Sequence, residues 1–154
     1  MEMKEPQDTT SPEGALKVRP AQESDLAFIR EELVRNNIDA ENLDHREFLV
    51  AAEDGGIAGF GRLRRTGQFY QIGCIAVVEE KRGRGVGSLL IKHLIENTPV
   101  KLVYIVTDLV EYFQRMGFVE MKESSKEFLD ALDEACKVKG KPNTVVMVFE
   151  RPGK

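Results

Sequence analysis

A glycine-rich turn between an apolar segment and an amphipathic one is the most informative part of this sequence. It reads Arg82-Gly83-Arg84-Gly85-Val86-Gly87-Ser88. Glycine lets the backbone turn sharply and approach a ligand without an intervening Cβ atom. The first turn of a following helix offers unpaired N–H groups and the positive end of the helix dipole. Together with the two arginines, these features predict an anion site suited to a pyrophosphate.

The spacing within the turn excludes two other phosphate-binding motifs. A Walker loop requires a lysine directly before the Ser or Thr, and here Gly87 precedes Ser88. A dinucleotide fingerprint requires Gly-x-Gly-x-x-Gly, whereas these glycines are spaced Gly-x-Gly-x-Gly. The remaining alternative is a tight strand-to-helix connection with two solvated arginines. Two arginines inside the turn favour the anion site over that alternative.

The apolar patterns on both sides of the turn predict a single α+β domain with a central mixed sheet. Strands are predicted at residues 16–19, 48–52, 57–63, 68–78, 102–107, 118–120 and 144–149. Helices are predicted to begin at Ser24-Asp25, at Val110 and at Ser124, and a further helix is predicted from about Val86 to Glu96. Residues 42–46 are ambiguous and fit one helical turn. The boundaries are then a disordered tail at 1–14, one domain at 15–150 and a frayed C-terminus at 151–154.

Composition excludes several other classes of protein. The chain has 154 residues, the size of one domain, and a net charge of -4, so it has no general attraction for nucleic acid or anionic lipid. No apolar run reaches the length of a transmembrane helix. Cys74 and Cys136 lack metal-type spacing and lie in apolar runs, which predicts buried free thiols in a reducing compartment. We therefore expect a cytoplasmic protein with no metal, nucleic-acid or membrane partner.

In this context the sequence resembles the GCN5-related N-acetyltransferase (GNAT) family. The family signature Arg/Gln-x-x-Gly-x-Gly/Ala is matched by Arg82, Gly85 and Gly87. Two further segments match, residues 75–77 before the turn and residues 112–118 after the next strand. The resemblance extends from Leu16 to Phe149 and implies a central mixed, mostly antiparallel sheet flanked by helices.

The resemblance implies an N-acetyltransferase with acetyl-CoA as co-substrate and no metal. The backbone of residues 75–77 would pair with the pantetheine arm and hold the thioester carbonyl, and residues 83–88 would hold the pyrophosphate. The shape of the chain after Thr107 and its last strand look like the branch that acetylates amino acids and related small amines. We expect a monomer or a homodimer. The residues implied to contact acetyl-CoA are Ile75, Ala76, Val77, Arg82, Gly83, Arg84, Gly85, Val86, Gly87, Ser88 and Phe113.

The usual catalytic residues of the family are replaced in this sequence. Many members protonate the leaving thiolate with a Tyr five residues before the Phe of a Gly-Phe pair, and that position is Phe113. Tyr112 is rotated from it by roughly 100° around a helix, so it is not a simple substitute. The usual acidic positions correspond to Gln71 and Val106.

The other candidates for a general base are Glu53, His45, Tyr70, Cys136 and His93. We expect Glu53 to be a solvated turn residue, His45 a solvated surface residue and His93 a packed residue at the edge of the core. The catalytic residues are therefore left unassigned, and the mechanism rests on positioning. Alignment of amine and thioester contributes roughly 7–11 kcal/mol in favourable cases, and a backbone N–H on the carbonyl adds about 3 kcal/mol.

Two alternatives to a small-amine acetyltransferase remain open. The missing Tyr and carboxylate also fit an acyl-CoA-binding module without catalysis. A protein N-terminus or lysine is a second possible acceptor, since no sequence feature decides whether the acceptor groove is open.

Overall fold

This computed structural model describes residues 16–38, 40–121 and 145–152 of the chain. Within these residues, seven strands form one sheet. The spatial order is β1-β2-β3-β4-β5-β7-β6, and the β4–β5 pair is parallel while every other neighbouring pair is antiparallel. Three helices flank the sheet in these residues. The α+β class with a mostly antiparallel mixed sheet is thus confirmed. The elements are β1 (Lys17–Pro20), α1 (Leu26–Arg35), β2 (Phe48–Glu53), β3 (Gly56–Thr66), β4 (Phe69–Val77), α2 (Val86–Glu96), β5 (Leu102–Thr107), α3 (Val110–Arg115), β6 (Val119–Glu120) and β7 (Val145–Glu150).

The sequence patterns predicted most of these elements. The helix at 86–96 and the strand at 102–107 have the predicted bounds, and the ambiguous segment at 42–46 overlaps a 3₁₀ turn at His45–Glu47. Asn37 adopts a left-handed φ of 60° just after α1, which is the backbone state that ends a helix. The tail at 1–14, the helix predicted from Ser124 and Cys136 all lie outside the described residues.

The two faces of the sheet carry different helices. On the face that we call the α1 face, Ile29 and Leu33 pack with Phe48 and Phe60. The opposite face, the α2 face, carries α2 and α3, and its cluster joins Ile91, Leu94 and Phe113 to strand residues such as Ile72. Full burial of each such side chain stabilises the fold by about 1.5–3 kcal/mol.

Two glycines allow β3 to lie close to its neighbours on the α2 face. A Cβ at Gly59 would lie 2.9 Å from the carbonyl oxygen of Ala76, and a Cβ at Gly61 would lie 2.8 Å from Cδ1 of Leu94. The Ala76 carbonyl belongs to the backbone and cannot move aside, and a Cβ at Gly59 would also lie 3.1 Å from Cγ1 of Val86 on α2. The absence of a side chain at Gly59 therefore allows α2 to pack closely on β3, whereas at Gly61 the Leu94 side chain would have to shift. This packing fixes the start of α2, and hence the glycine turn, against the sheet.

A β-bulge interrupts β4 at Cys74. Gly73 is paired with Arg62 and Ala76 with Phe60, so Gly61 faces two residues, Cys74 and Ile75. Cys74 has a φ of 50°, as expected where an extra residue is inserted into a ladder. Such a bulge bends the strand and increases its twist.

The prediction of a free thiol is wrong for Cys74, which is disulfide-bonded. Cys136, the other cysteine in the sequence, lies outside the described residues. An apolar environment buries a disulfide as well as it buries a free thiol. The cysteines therefore do not indicate a reducing compartment.

Candidate functional site

The strands β4 and β5 separate along part of their length, and we call the opening between them the cleft. These two parallel strands pair at Gln71–Tyr104 and Ile72–Ile105, and within the described residues no further pair joins them. From Gly73 to Val77, β4 pairs with β3 on one side while its other side opens toward the end of β5. An unpaired strand edge can form main-chain hydrogen bonds with an extended ligand. Ile75, Ala76 and Val77 lie on this open edge.

The glycine turn follows the open edge directly and ends in α2. Gly83 and Gly85 have φ values of 79° and 83°, which favour glycine, and Gly85 is the N-cap of α2. The N–H of Leu89 bonds to the Gly85 carbonyl. The N–H groups of Val86, Gly87 and Ser88 therefore face out of the helix N-terminus. A Cβ at either Gly83 or Gly85 would meet nothing within 4 Å, so the turn is open on the side a pyrophosphate would approach.

Arg84 is held by Glu53, at the end of β2. Arg84 Nη1 and Nη2 donate to Glu53 Oε1 and Oε2 at 3.2 and 2.7 Å, and Lys81 Nζ donates to Oε1 at 2.9 Å. The Glu53 side chain is 8% exposed. Hydrogen bonds from Arg84 lower its pKa, against the opposing effect of burial. The expectation that Glu53 is a solvated turn residue is wrong, and a carboxylate held by two cations is a poor proton acceptor.

Arg82 is tied to two other elements. Its Nε donates to the Val77 carbonyl at 2.9 Å, and its Nη2 donates to Asn36 Oδ1 at 3.1 Å. The exposed guanidinium thus links the end of β4 to the C-terminus of α1. It lies beside the glycine turn and is placed to add positive charge there.

The two aromatic residues of α3 differ in their contacts. Phe113 is buried on the α2 face, in edge contact with the rings of Tyr112 and Phe118. The Tyr112 hydroxyl lies 2.7 Å from Ser88 Oγ, and it is 3.7 Å from the position that a Cβ at Gly87 would take. The hydroxyl group of α3 therefore faces the start of α2. Contact of Phe113 with acetyl-CoA stays a prediction.

The remaining candidates for a general base either contact a backbone carbonyl or pack among apolar side chains. His45 is half-buried, with Nδ1 3.2 Å from the Ala21 carbonyl oxygen, so the expectation of a solvated residue is wrong. His93 Nδ1 lies 3.0 Å from the Leu89 carbonyl within α2. Tyr70 packs against the cluster of the α2 face, and Val106 packs with Tyr104 on the α1 face.

A polar strip crosses the α1 face between its two apolar clusters. We define it by Arg62, Arg64 and Gln71. Arg62 is 2% exposed, and its guanidinium donates to Glu47 and to the Asn42 carbonyl over the ring of Phe48. Arg64 is half-buried and makes no hydrogen bond or ion pair with a described residue. Neither arginine is among the site residues predicted from the sequence, although their spacing of two on a strand places them on one face.

Gln71 is the other member of this strip. It is 3% exposed, and its Oε1 has no hydrogen-bond partner within residues 16–38, 40–121 and 145–152. A buried acceptor left without a partner costs about 1–3 kcal/mol, so such groups are rare in folded proteins. Gln71 occupies the position at which the family resemblance led us to expect a carboxylate.

The described residues contain no cluster of three or more His, Cys, Asp or Glu side chains that could hold a metal ion. No helix in the same part of the chain is both long and apolar enough to cross a membrane.

A model of the acetyltransferase (GNAT) domain matches residues 44–120, half of the 154-residue chain. The chain belongs to the GNAT acetyltransferase family. It is thus an N-acetyltransferase with acetyl-CoA as co-substrate, and the open edge and the glycine turn of this GNAT domain fit that molecule's extended arm and pyrophosphate. Among curated protein sequences, none matches the chain significantly.

Solved structures share the GNAT fold at low sequence identity. Rv2747 from Mycobacterium tuberculosis, in complex with CoA and NLQ, is 21% identical with a TM-score of 0.70, and the match covers 88% of this chain and 99% of that one. N-acetylglutamate synthase from Neisseria gonorrhoeae, complexed with coenzyme A and L-arginine, is 17% identical with a TM-score of 0.71. That match covers 90% of this chain but 34% of the synthase. Ard1 from Thermoplasma volcanium is 16% identical, with a TM-score of 0.63 and coverage of 90% and 99%.

Proposed function

We propose that this GNAT enzyme acetylates the amine of a small acceptor that also carries a carboxylate, as an amino acid does. The observation that carries the proposal is Arg64. Its guanidinium has no partner among the described residues, lies on the α1 face, and is in register with Gln71 on β4. Arginine binds carboxylates through two parallel hydrogen bonds, so an arginine without a partner in the described residues, beside a buried amide, suits an acceptor of this class.

Arg62 is a weaker candidate for that role. Its Nε and Nη2 are bonded to Glu47 and Asn42, and the charge of its buried guanidinium is balanced by the Glu47 carboxylate. Breaking such a pair to bind a substrate would leave the half-buried Glu47 carboxylate without its partner. Arg64 has no such competing carboxylate in the described residues.

Two of the similar solved structures also support this acceptor class. N-acetylglutamate synthase from Neisseria gonorrhoeae was solved with coenzyme A and N-acetyl-glutamate at 19% identity, and with L-arginine at 17% identity. Those ligands belong to that protein, and the present chain spans about a third of its length. They are nevertheless amino-acid-like molecules bound by a protein that contains this fold.

Within this proposal, the chain acts by positioning. Bound acetyl-CoA supplies a thioester carbonyl carbon, which the neutral amine attacks as the C–S bond breaks. The backbone of Ile75, Ala76 and Val77 holds the pantetheine arm, and a backbone N–H of this segment polarises the carbonyl. The start of α2 binds the pyrophosphate. Water takes the proton lost by the amine and supplies one to the leaving thiolate.

The test is a thiol-release assay on matched acceptors. Each amino acid is compared with its carboxamide and with a short peptide that begins with the same residue. We expect the free amino acid to have at least a roughly tenfold higher kcat/KM than its carboxamide, because the carboxamide loses a charge-assisted bond to Arg64. Arg64→Gln should abolish this preference. Arg65→Gln is the control, since the next residue along a strand lies on the opposite face.

Two results would overturn the proposal. A peptide acceptor preferred over the free amino acid would indicate a protein amine as the substrate. Acetyl-CoA binding without thiol release for any acceptor would indicate the acyl-CoA-binding module.

A further inference from the structure

The Oε1 atom of Gln71 is the buried polar group that the fold leaves unexplained. Among the side-chain nitrogen and oxygen atoms of the described residues, it alone is fully buried without a hydrogen-bond partner. On the β5 side, its register partner Tyr104 belongs to an apolar cluster with Val106 of β5 and Phe69 of β4. On the β3 side, its register partner Arg64 carries donors only. The structure thus holds an acceptor with an adjacent donor and no bond between them.

The position of Gln71 relates this acceptor to the cleft. Gln71 and Tyr104 form the first of the two residue pairs that join β4 to β5, and the strands separate two residues later, at Gly73. Cross-strand partners share a face of the sheet, so Arg64, Gln71 and Tyr104 form one row on the α1 face. The open edge of β4 continues directly from this row.

We propose that Gln71 Oε1 accepts a hydrogen bond from the acceptor amine and orients its lone pair toward the thioester carbonyl. The inference rests on the proposed function, because it assigns the amine of the same acceptor whose carboxylate Arg64 binds. It makes Gln71 a substrate-binding residue that takes up no proton. An amide oxygen accepts hydrogen bonds but, unlike a carboxylate, does not act as a base near neutral pH.

This hydrogen bond would strengthen during the reaction. As the nitrogen forms a bond to the carbonyl carbon, it gains positive charge, and its remaining N–H becomes a stronger donor. A bond from a charged donor is roughly twice as strong as a neutral one. Gln71 would therefore stabilise the transition state more than the bound amine, and its loss would lower kcat as well as raise KM.

The first test is Gln71→Met, which keeps the length of the side chain and removes the acceptor. We expect kcat/KM for the amine to fall about tenfold or more, while the affinity for acetyl-CoA stays the same. The Tm should be unchanged or higher, because replacing an unsatisfied buried amide by an apolar group removes its desolvation cost. Gln68→Met, at an exposed turn residue, is the matched control.

A retained kcat/KM in Gln71→Met would overturn the inference, and a lower Tm would then indicate a structural bond to buried water. The second variant is Gln71→Glu, which places a base at the same point. The titratable and charged groups that face it are Arg62 and Arg64 on β3 and Tyr104 on β5. We expect kcat/KM of this variant to gain an inflection with pH that does not move when the acceptor is changed.

A Gln71→Glu profile that still follows the acceptor's own pKa would place the amine away from residue 71 and overturn the inference. Wild-type protein that releases no thiol with any acceptor would instead overturn the proposed function. The two failures are therefore distinguishable.

Discussion

The carboxylate of Glu53 accepts hydrogen bonds from both terminal nitrogens of Arg84, at 3.2 and 2.7 Å. Arg84 lies 31 positions later in the chain. Lys81 Nζ adds a third hydrogen bond at 2.9 Å. The pair anchors the glycine turn to the end of β2. It also shows that a cation expected to face a phosphate already has an anionic partner within the protein.

The first prediction concerns Glu53→Gln. Loss of the charge should lower the free energy of unfolding by about 1 kcal/mol, since both cations are partly exposed and solvent screens the pairs. The folded pKa of Glu53 lies below its ordinary value of 4.5 because of the hydrogen bonds from Arg84. Its contribution is therefore full above about pH 4.5 and is lost as the pH falls through the lower folded pKa.

Urea unfolding of wild type and Glu53→Gln between pH 7 and pH 3 checks this. The difference between the two proteins should shrink at the acid end. Glu96→Gln, at an exposed position on α2, serves as control. A difference that is constant over the whole range would mean that the ion pairs do not stabilise the fold.

The second prediction is that Gly85→Asp abolishes acetyl-CoA binding in a folded protein. The new carboxylate would enter the open side of the turn and repel the pyrophosphate, so affinity should fall by more than about tenfold. Gly67→Asp provides a matched control, because Gly67 also has a left-handed φ, of 64°, and open space around it, but lies in the β3–β4 hairpin. Calorimetric titration gives the affinities. Equal affinity of the two variants would remove the glycine turn from the site.

The third prediction is that Phe113→Tyr destabilises the protein without raising its rate. The Phe113 ring is 4% exposed and lies among other aromatic rings, so a hydroxyl there would be buried in apolar surroundings. The expected loss is about 1–3 kcal/mol in the free energy of unfolding. Tyr112→Phe, which removes the hydroxyl bonded to Ser88, is the comparison. A faster, equally stable Phe113→Tyr variant would show that residue 113 reaches the leaving thiolate.

The fourth prediction is that the acceptor, and not the enzyme, sets the pH dependence of kcat/KM. Glu53 is held ionised by Arg84, and His45 is bonded to a backbone carbonyl. With neither acting as base, kcat/KM should climb about tenfold per pH unit and level off near the pKa of the amine, at about pH 9–10 for a lysine-like amine. Two amines whose pKa values differ by more than about one unit should give plateaus displaced by that difference. An inflection common to both amines, and absent in His45→Gln, would identify a base.

Local sequence patterns were sufficient for the elements around the glycine turn. The helix at 86–96 has a capping glycine before it and an apolar stripe along it, and the strand at 102–107 is one short apolar run. Both signals act over a few residues, and the structure has both elements with the predicted bounds. The signature residues Arg82, Gly85 and Gly87, together with the segments at 75–77 and 112–118 and the order of the elements, were sufficient to identify the family.

Contacts between distant parts of the chain were not predictable in this way. The Glu53–Arg84 pair spans 31 residues, and the bond from Arg82 to Asn36 spans 46. A single sequence does not specify which strands become neighbours, so Glu53 was taken for a solvated turn residue. The same limit applies to Gln71 Oε1, because its lack of a hydrogen-bond partner in the described residues depends on every side chain packed around it.

The two residue pairs that join β4 to β5 also divide the sheet mechanically. Strands β1–β4 form one antiparallel unit, and β5, β7 and β6 form another. Within the described residues, the ladder between the two units consists of the pairs Gln71–Tyr104 and Ile72–Ile105. A pantetheine arm lying along the open edge of β4 would extend that seam like a substitute strand. Binding of acetyl-CoA should then slow amide hydrogen exchange in β4 and β5 together, because the bound co-substrate stabilises the junction between the two units of the sheet.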